Sequence, residues 1–92
     1  SIFAWLRHGN DGEAPVLVVC NMTPVERTAR RVGVPKMGRW SEIFNSDAAA
    51  YGGGGRGNLG GCDADLIAAS GRGQSLSLTL PPLSTIMLRW EA

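Results

Sequence analysis

The sequence predicts an all-β fold, an antiparallel β-sandwich or Greek-key domain with one long Gly-rich loop. Three observations carry this. Short alternating or β-branched runs recur along the chain, among them IFAWLR, VLVVC, RWSEIF, SLSLTL and STIMLRW. Clusters of Gly, Asn, Asp and Pro punctuate them as turns do. The one stretch with helical character, CDADLIAAS at residues 62–70, is too short to form a layer over a sheet.

Taken in order, SIFAWLRH sets Phe3, Trp5 and Arg7 against Ile2, Ala4, Leu6 and His8, and GNDG at Gly9 to Gly12 closes a hairpin. APVLVVCNM is nearly continuous in apolar character, as a central strand covered on both faces is. Pairing these two strands is the simplest connection. Val25 to Val34 alternates weakly and carries Arg27, Arg30 and Arg31, which fits an edge strand, because charge there discourages pairing between sheets. PKMG turns the chain into GRWSEIFN, which sets Trp40, Glu42 and Phe44 against Ser41 and Ile43.

Residues 46–73 are expected to be mostly irregular. Within them, CDADLIAAS has the pattern of two helical turns with Asp63 or Asp65 as cap, a short acid accepting the orphan amides. QSLSLTL points Leu76, Leu78 and Leu80 inward and Ser75, Ser77 and Thr79 outward, until Pro81 and Pro82 end the ladder. The last strand places Ile86, Leu88 and Trp90 on one face. Trp5, Trp40 and Trp90 all read as core residues.

The 92 residues suit one domain spanning 1–92, with one modest core. Nine Arg plus Lys against eight Asp plus Glu leave a net charge of +1, which argues for neither a nucleic-acid nor a membrane partner. Cys20 and Cys62 make no disulfide framework; read as reduced thiols, they suggest the cytoplasm. No leader or membrane-length apolar run is evident, and Ile2 to Leu6 are apolar from the start, as in a piece cut from a longer chain.

Residues 52–61 hold seven glycines in ten and match GxGxxG twice, at Gly52, Gly54, Gly57 and at Gly55, Gly57, Gly60. Such density satisfies glycine patterns by chance. A dinucleotide site also needs a strand directly before, a helix directly after and an acid about twenty residues on. All three are missing here, and the single lysine, Lys36, lies too far away for a Walker loop. With one histidine, His8, and two distant cysteines there is no metal-ligand spacing and no paired base for a nucleophile, so no catalytic residue, metal or cofactor is expected. Asp63 with Asp65, or Glu42 with Asp47, could stand as a carboxylate pair for glycoside chemistry, but capping and turn roles explain them better. Tyr51, at the head of the glycines, either anchors the loop or is presented to a partner.

VVCNMTPVER, GRWSEIFNSDAAAYGGGGRGN and SLSLTLPPLSTIMLRW, in this order, closely resemble the carboxy-terminal β-domain of bacterial 1,4-α-glucan (glycogen) branching enzymes, in the α-amylase superfamily. The resemblance covers almost the whole chain. It implies a parent enzyme whose (β/α)₈ barrel transfers α-1,4-glucan segments to form α-1,6 branches, with none of the catalytic residues in this chain. It further implies that the glycine run packs between domains through Asn45, Asp47, Tyr51 and Asn58, with the barrel of the same chain as partner and glucan met through the parent. Arg30, where many relatives carry an aromatic residue, and Ser70, where a histidine often stands, depart from the pattern.

Two rival readings stand beside this, the first from another class. One is an autonomous α-glucan-binding module, with Tyr51 and Trp40 as sugar contacts; the other is the equivalent domain of a related debranching or trehalose-forming enzyme.

Overall fold

A computed structural model describes residues 1–9, 12–46 and 60–91. Among them run seven strands: β1 (Ile2–Arg7), β2 (Val16–Asn21), β3 (Arg27–Gly33), β4 (Arg39–Asn45), β5 (Gly61–Asp63), β6 (Ser75–Leu80) and β7 (Ser84–Trp90). One sheet has the order β1-β2-β7-β4-β5 and the other pairs β3 with β6. Every strand pair is antiparallel. The expected all-β class, the β1–β2 hairpin and the cationic edge strand β3 are all present.

The two sheets meet through one core. Leu17 and Val19 of β2, Trp40 of β4, and Ile86 and Leu88 of β7 supply one side; Val32 and Val34 with Leu76, Leu78 and Leu80 supply the other. Each of these lies between 0% and 6% exposed, and fully burying one such aliphatic side chain stabilises by about 1.5–3 kcal/mol. The alternation read in β6 thus holds for its leucines. Trp40, at 0% exposed, donates its indole N–H to the Lys36 carbonyl at 3.1 Å, so its one polar atom is satisfied. Trp90 packs half-buried at the core margin, donating to the Met37 carbonyl at 2.9 Å with Lys36 Nζ 5.4 Å above its ring. These two indoles tie down the PKMG turn.

Four local expectations fail, for identifiable reasons. Phe44 does not share the face of Trp40 and Glu42: the register slips between Glu42 and Phe44, and Phe44 stands opposite Met87 on the outer side of the sheet. Residues 62–70 form no helix: Cys62 pairs with Trp40, and Asp65 exchanges both backbone hydrogen bonds with Ser75, at 2.8 and 2.9 Å. Two turns of helix cannot outcompete such pairing, since nucleation is costly and Leu66 and Ile67, both exposed, would gain nothing to pack against. Ser75 is buried rather than outward, its Oγ donating to the Ile67 carbonyl at 2.7 Å. Trp5 is 48% exposed, because its strand is a sheet edge and its side chain lies on the face away from the second sheet.

One residue unnoticed in the sequence joins the layers. Asn21, 0% exposed, donates through Nδ2 to the carbonyls of Val25, Leu80 and Pro81 and accepts through Oδ1 from the Thr23 amide and hydroxyl. Asn followed two residues on by Thr and then Pro, at the end of a buried strand, is the signal that could have found it, since Asn side chains close such turns. Gly33 has a plain steric reason: a Cβ there would overlap the Ala69 carbonyl oxygen, where the 69–72 turn lies against β3.

Candidate interdomain interface

Directly opposed residues of antiparallel strands share a face. On the outer face of the five-stranded sheet, Trp5 opposes Val18, Val18 opposes Met87, and Met87 opposes Phe44, giving an apolar row across four strands. The register slips between Glu42 and Phe44, so Ile43 is an extra residue there, and with Met87 and Val16 it lines a cavity of about 240 Å³. Phe3, opposite Cys20, stands one row along, and Arg7 and Arg89 flank Val16 on the other side.

Phe3, Trp5 and Ile43 are 55%, 48% and 43% exposed. Scattered exposed apolar residues are normal; a joined row of large ones, bordered by arginines, is the form an interaction face takes.

The glycine run leaves from this sheet. Its exit is held where the Ser46 amide donates to the Thr85 carbonyl at 3.0 Å and the Thr85 amide to Ser46 Oγ at 2.9 Å. Its return is held by the Glu42 amide donating to the Gly60 carbonyl at 2.9 Å. Both ends are therefore fixed to the same sheet. Asn45 sits at the exit, 5% exposed, its Nδ2 donating to Glu42 Oε1 at 3.3 Å. Asp47, Tyr51 and Asn58 lie outside the described residues. Trp40 has no face open to a sugar, which corrects its reading as a glucan contact in favour of its reading as core.

Of the carboxylates weighed for chemistry, Asp65 Oδ2 meets Arg31 at 2.7 Å and Asp63 Oδ1 lies 3.8 Å from Arg39. Burial pushes the Cys62 thiol above its ordinary value, with Asp65 and Asp63 adding to the shift, so it is a poor nucleophile at neutral pH. Among the described residues no group of three or more His, Cys, Asp and Glu stands together as metal ligands would. Nor is any helix among them long and apolar enough to cross a membrane.

The sequence profile of the alpha amylase C-terminal all-beta domain matches residues 1–91. The chain belongs to this family. Similar proteins include the 1,4-alpha-glucan branching enzymes GlgB of Jannaschia sp. (strain CCS1), 57% identical over 97% of this chain, and of Aquifex aeolicus (strain VF5), 57% identical over 99%. That of Roseobacter denitrificans is 56% identical over 99%. This C-terminal all-beta domain covers 13%, 14% and 12% of those relatives, respectively. The chain therefore spans only a small part of the length of these relatives.

Proposed function

We propose that the chain is the non-catalytic C-terminal domain of a glycogen branching enzyme and that it packs on the parent's catalytic (β/α)₈ barrel and stabilises it. The observation that carries this is the continuous row Trp5–Val18–Met87–Phe44, bordered by Phe3 and Ile43, on the sheet face that the second sheet does not cover. Burying such a face against another domain gains about 25 cal/mol for each Å² of apolar surface removed from water, without any ligand. The glycine run, held at both ends to the same sheet, extends that contact through Asp47, Tyr51 and Asn58, since glycine allows close backbone approach.

The parent transfers α-1,4-glucan segments to form α-1,6 branches in the cytoplasm; the named activity of the relatives and two free cysteines support this. Glucan reaches the domain through the parent enzyme.

The decisive comparison uses Phe3→Ser with Trp5→Ser, in the complete enzyme and in the 92-residue chain. In the enzyme the pair should lower the thermal midpoint and let limited proteolysis release the domain; in the isolated chain unfolding should barely change. Unchanged stability of the enzyme would refute packing by this face. Saturable maltoheptaose shifts at Trp5 or Tyr51 in the isolated chain, lost on substitution by Ala, would instead establish a glucan-binding module.

A further inference from the structure

Charge on the outer face of the five-stranded sheet is confined to one side of the apolar row. Arg7, Val16 and Arg89 stand in one register row across β1, β2 and β7, next to the row from Trp5 to Phe44. Side chains opposed in this way share a face, and neighbouring strands lie about 4.8 Å apart, so the two arginines flank Val16 with their backbones about 10 Å apart. Both are exposed. On the other side of the apolar row stand Phe3, Cys20 and Thr85, none of them charged. The face thus runs from an uncharged edge to a cationic one.

Other arginines find an acid within the domain. Arg39, two residues before Ser41, which opposes Arg89, lies on this same face and meets Asp63 at 3.8 Å; Arg31 of β3 meets Asp65 at 2.7 Å. Among the described residues, neither Arg7 nor Arg89 has a carboxylate within ion-pair distance. Glu13 shares the walls of the cavity of about 240 Å³ with Arg7, but its carboxylate is turned to the hairpin, where a Cβ on Gly9 would lie 2.6 Å from Oε2. Glu91 follows Arg89 by two residues and does not reach it either. In water such unpaired charges are solvated, and at a spacing of about 10 Å they are screened from each other. Beneath another domain they are not: a guanidinium taken out of water without a partner incurs a desolvation cost that an apolar neighbour cannot offset.

We infer that the surface covering this face is acidic at one end, setting carboxylates of the parent enzyme's own chain over Arg7 and Arg89, beside an apolar patch over Trp5, Val18, Met87 and Phe44. This rests on the docking reading of the face and adds to it the chemistry of the partner. The planar fork of arginine takes a carboxylate through two parallel N–H···O bonds, and arginine is the cation that interfaces favour. The one-sided border also fixes orientation. A partner turned end for end would set its carboxylates over Phe3 and Cys20 and leave both arginines covered without acceptors, which an apolar face alone would not penalise.

The test uses the complete enzyme, with the rate at which limited proteolysis releases the domain as the readout. At low salt, Arg7→Gln and Arg89→Gln should each speed release about three- to tenfold, as loss of a charge-assisted pair at an interface does. Arg7→Glu and Arg89→Glu should speed it further through repulsion, and Lys at either position should recover part of the loss, since it keeps the charge without the fork. The Gln effects should fall by at least about half in about 1 M NaCl, where the screening length is about 3 Å. Arg27→Gln, on β3 of the second sheet, should stay within about twofold of the unsubstituted enzyme, as exposed charges away from the contact do. Over an apolar or a basic surface the Gln substitutions would slow release or leave it unchanged, and either result overturns the acidic partner. Equal losses in Arg27→Gln would overturn it as a general effect of net charge, and equal losses in Glu13→Gln or Glu91→Gln would assign the pairing to the domain itself. If the enzyme with Phe3→Ser and Trp5→Ser releases its domain no faster, the docking reading fails; if it does release faster while the Arg7 and Arg89 variants do not, the acidic partner alone is refuted.

Discussion

Trp5 lies directly opposite Val18 across the β1–β2 pair, yet Trp5 is 48% exposed and Val18 only 2%. The difference comes from position: Val18 is flanked on both sides, by Trp5 and Met87, while Trp5 has a neighbouring strand on one side alone. Val18→Ala should therefore cost the isolated chain about 1–2 kcal/mol, and Trp5→Ser under about 1 kcal/mol. Urea unfolding of the two variants checks this, and a larger loss for Trp5→Ser would mean that its ring is part of the core.

Asn21 has no equivalent replacement. Asn21→Ala removes a buried amide serving three carbonyls and should destabilise by about 2–3 kcal/mol, because buried acceptors left without donors incur their desolvation cost. Asn21→Asp should be no better, as it keeps the Thr23 contacts and loses the donor. Thermal unfolding of both variants is the measurement; an Asp variant as stable as the parent chain would show that Nδ2 contributes nothing.

Cys62 gives the alkaline behaviour a definite sign. Its thiol pKa is raised in the folded chain, chiefly by burial, so above the ordinary thiol pKa the unfolded chain has released a proton that the folded chain retains. Stability contributed by this group is present below the ordinary thiol pKa and falls as pH rises through the raised value. Cys62→Ser should flatten that alkaline decline, as read by denaturant midpoints across the pH range. Iodoacetamide should also modify Cys62 more slowly in the native chain than in the unfolded one.

Incubated alone with amylose, the 92-residue chain should change neither the iodine spectrum nor the number of reducing ends. Among the described carboxylates considered for such chemistry, Asp63 and Asp65 each face an arginine, and Glu42 accepts from Asn45. Sustained activity lost on Glu42→Gln would contradict this.

The strand positions were legible because alternation and turn residues act locally. The runs at β2, β4, β6 and β7 could bury their apolar sides only as strands, and the cationic β3 could only be an edge. The supposed helix at 62–70 was not legible as strand and bridges, since its structure comes from pairing with Trp40 and Ser75, which are distant in sequence. Of the candidate site, the sequence flagged Trp5 but misread its side of the sheet: alternation reveals that two sets of residues face apart, without revealing which set meets the second sheet.

By itself the sequence determined the all-β class, the hairpin, the strand order along the chain and the family resemblance, because these rest on local backbone preference and short motifs. Only the tertiary structure decided which apolar residues remain open to solvent and that Phe44 joins the outer row of Trp5, Val18 and Met87. Burial depends on what packs above a strand, and register on a bulge of one residue, and neither is encoded within a single run of the chain.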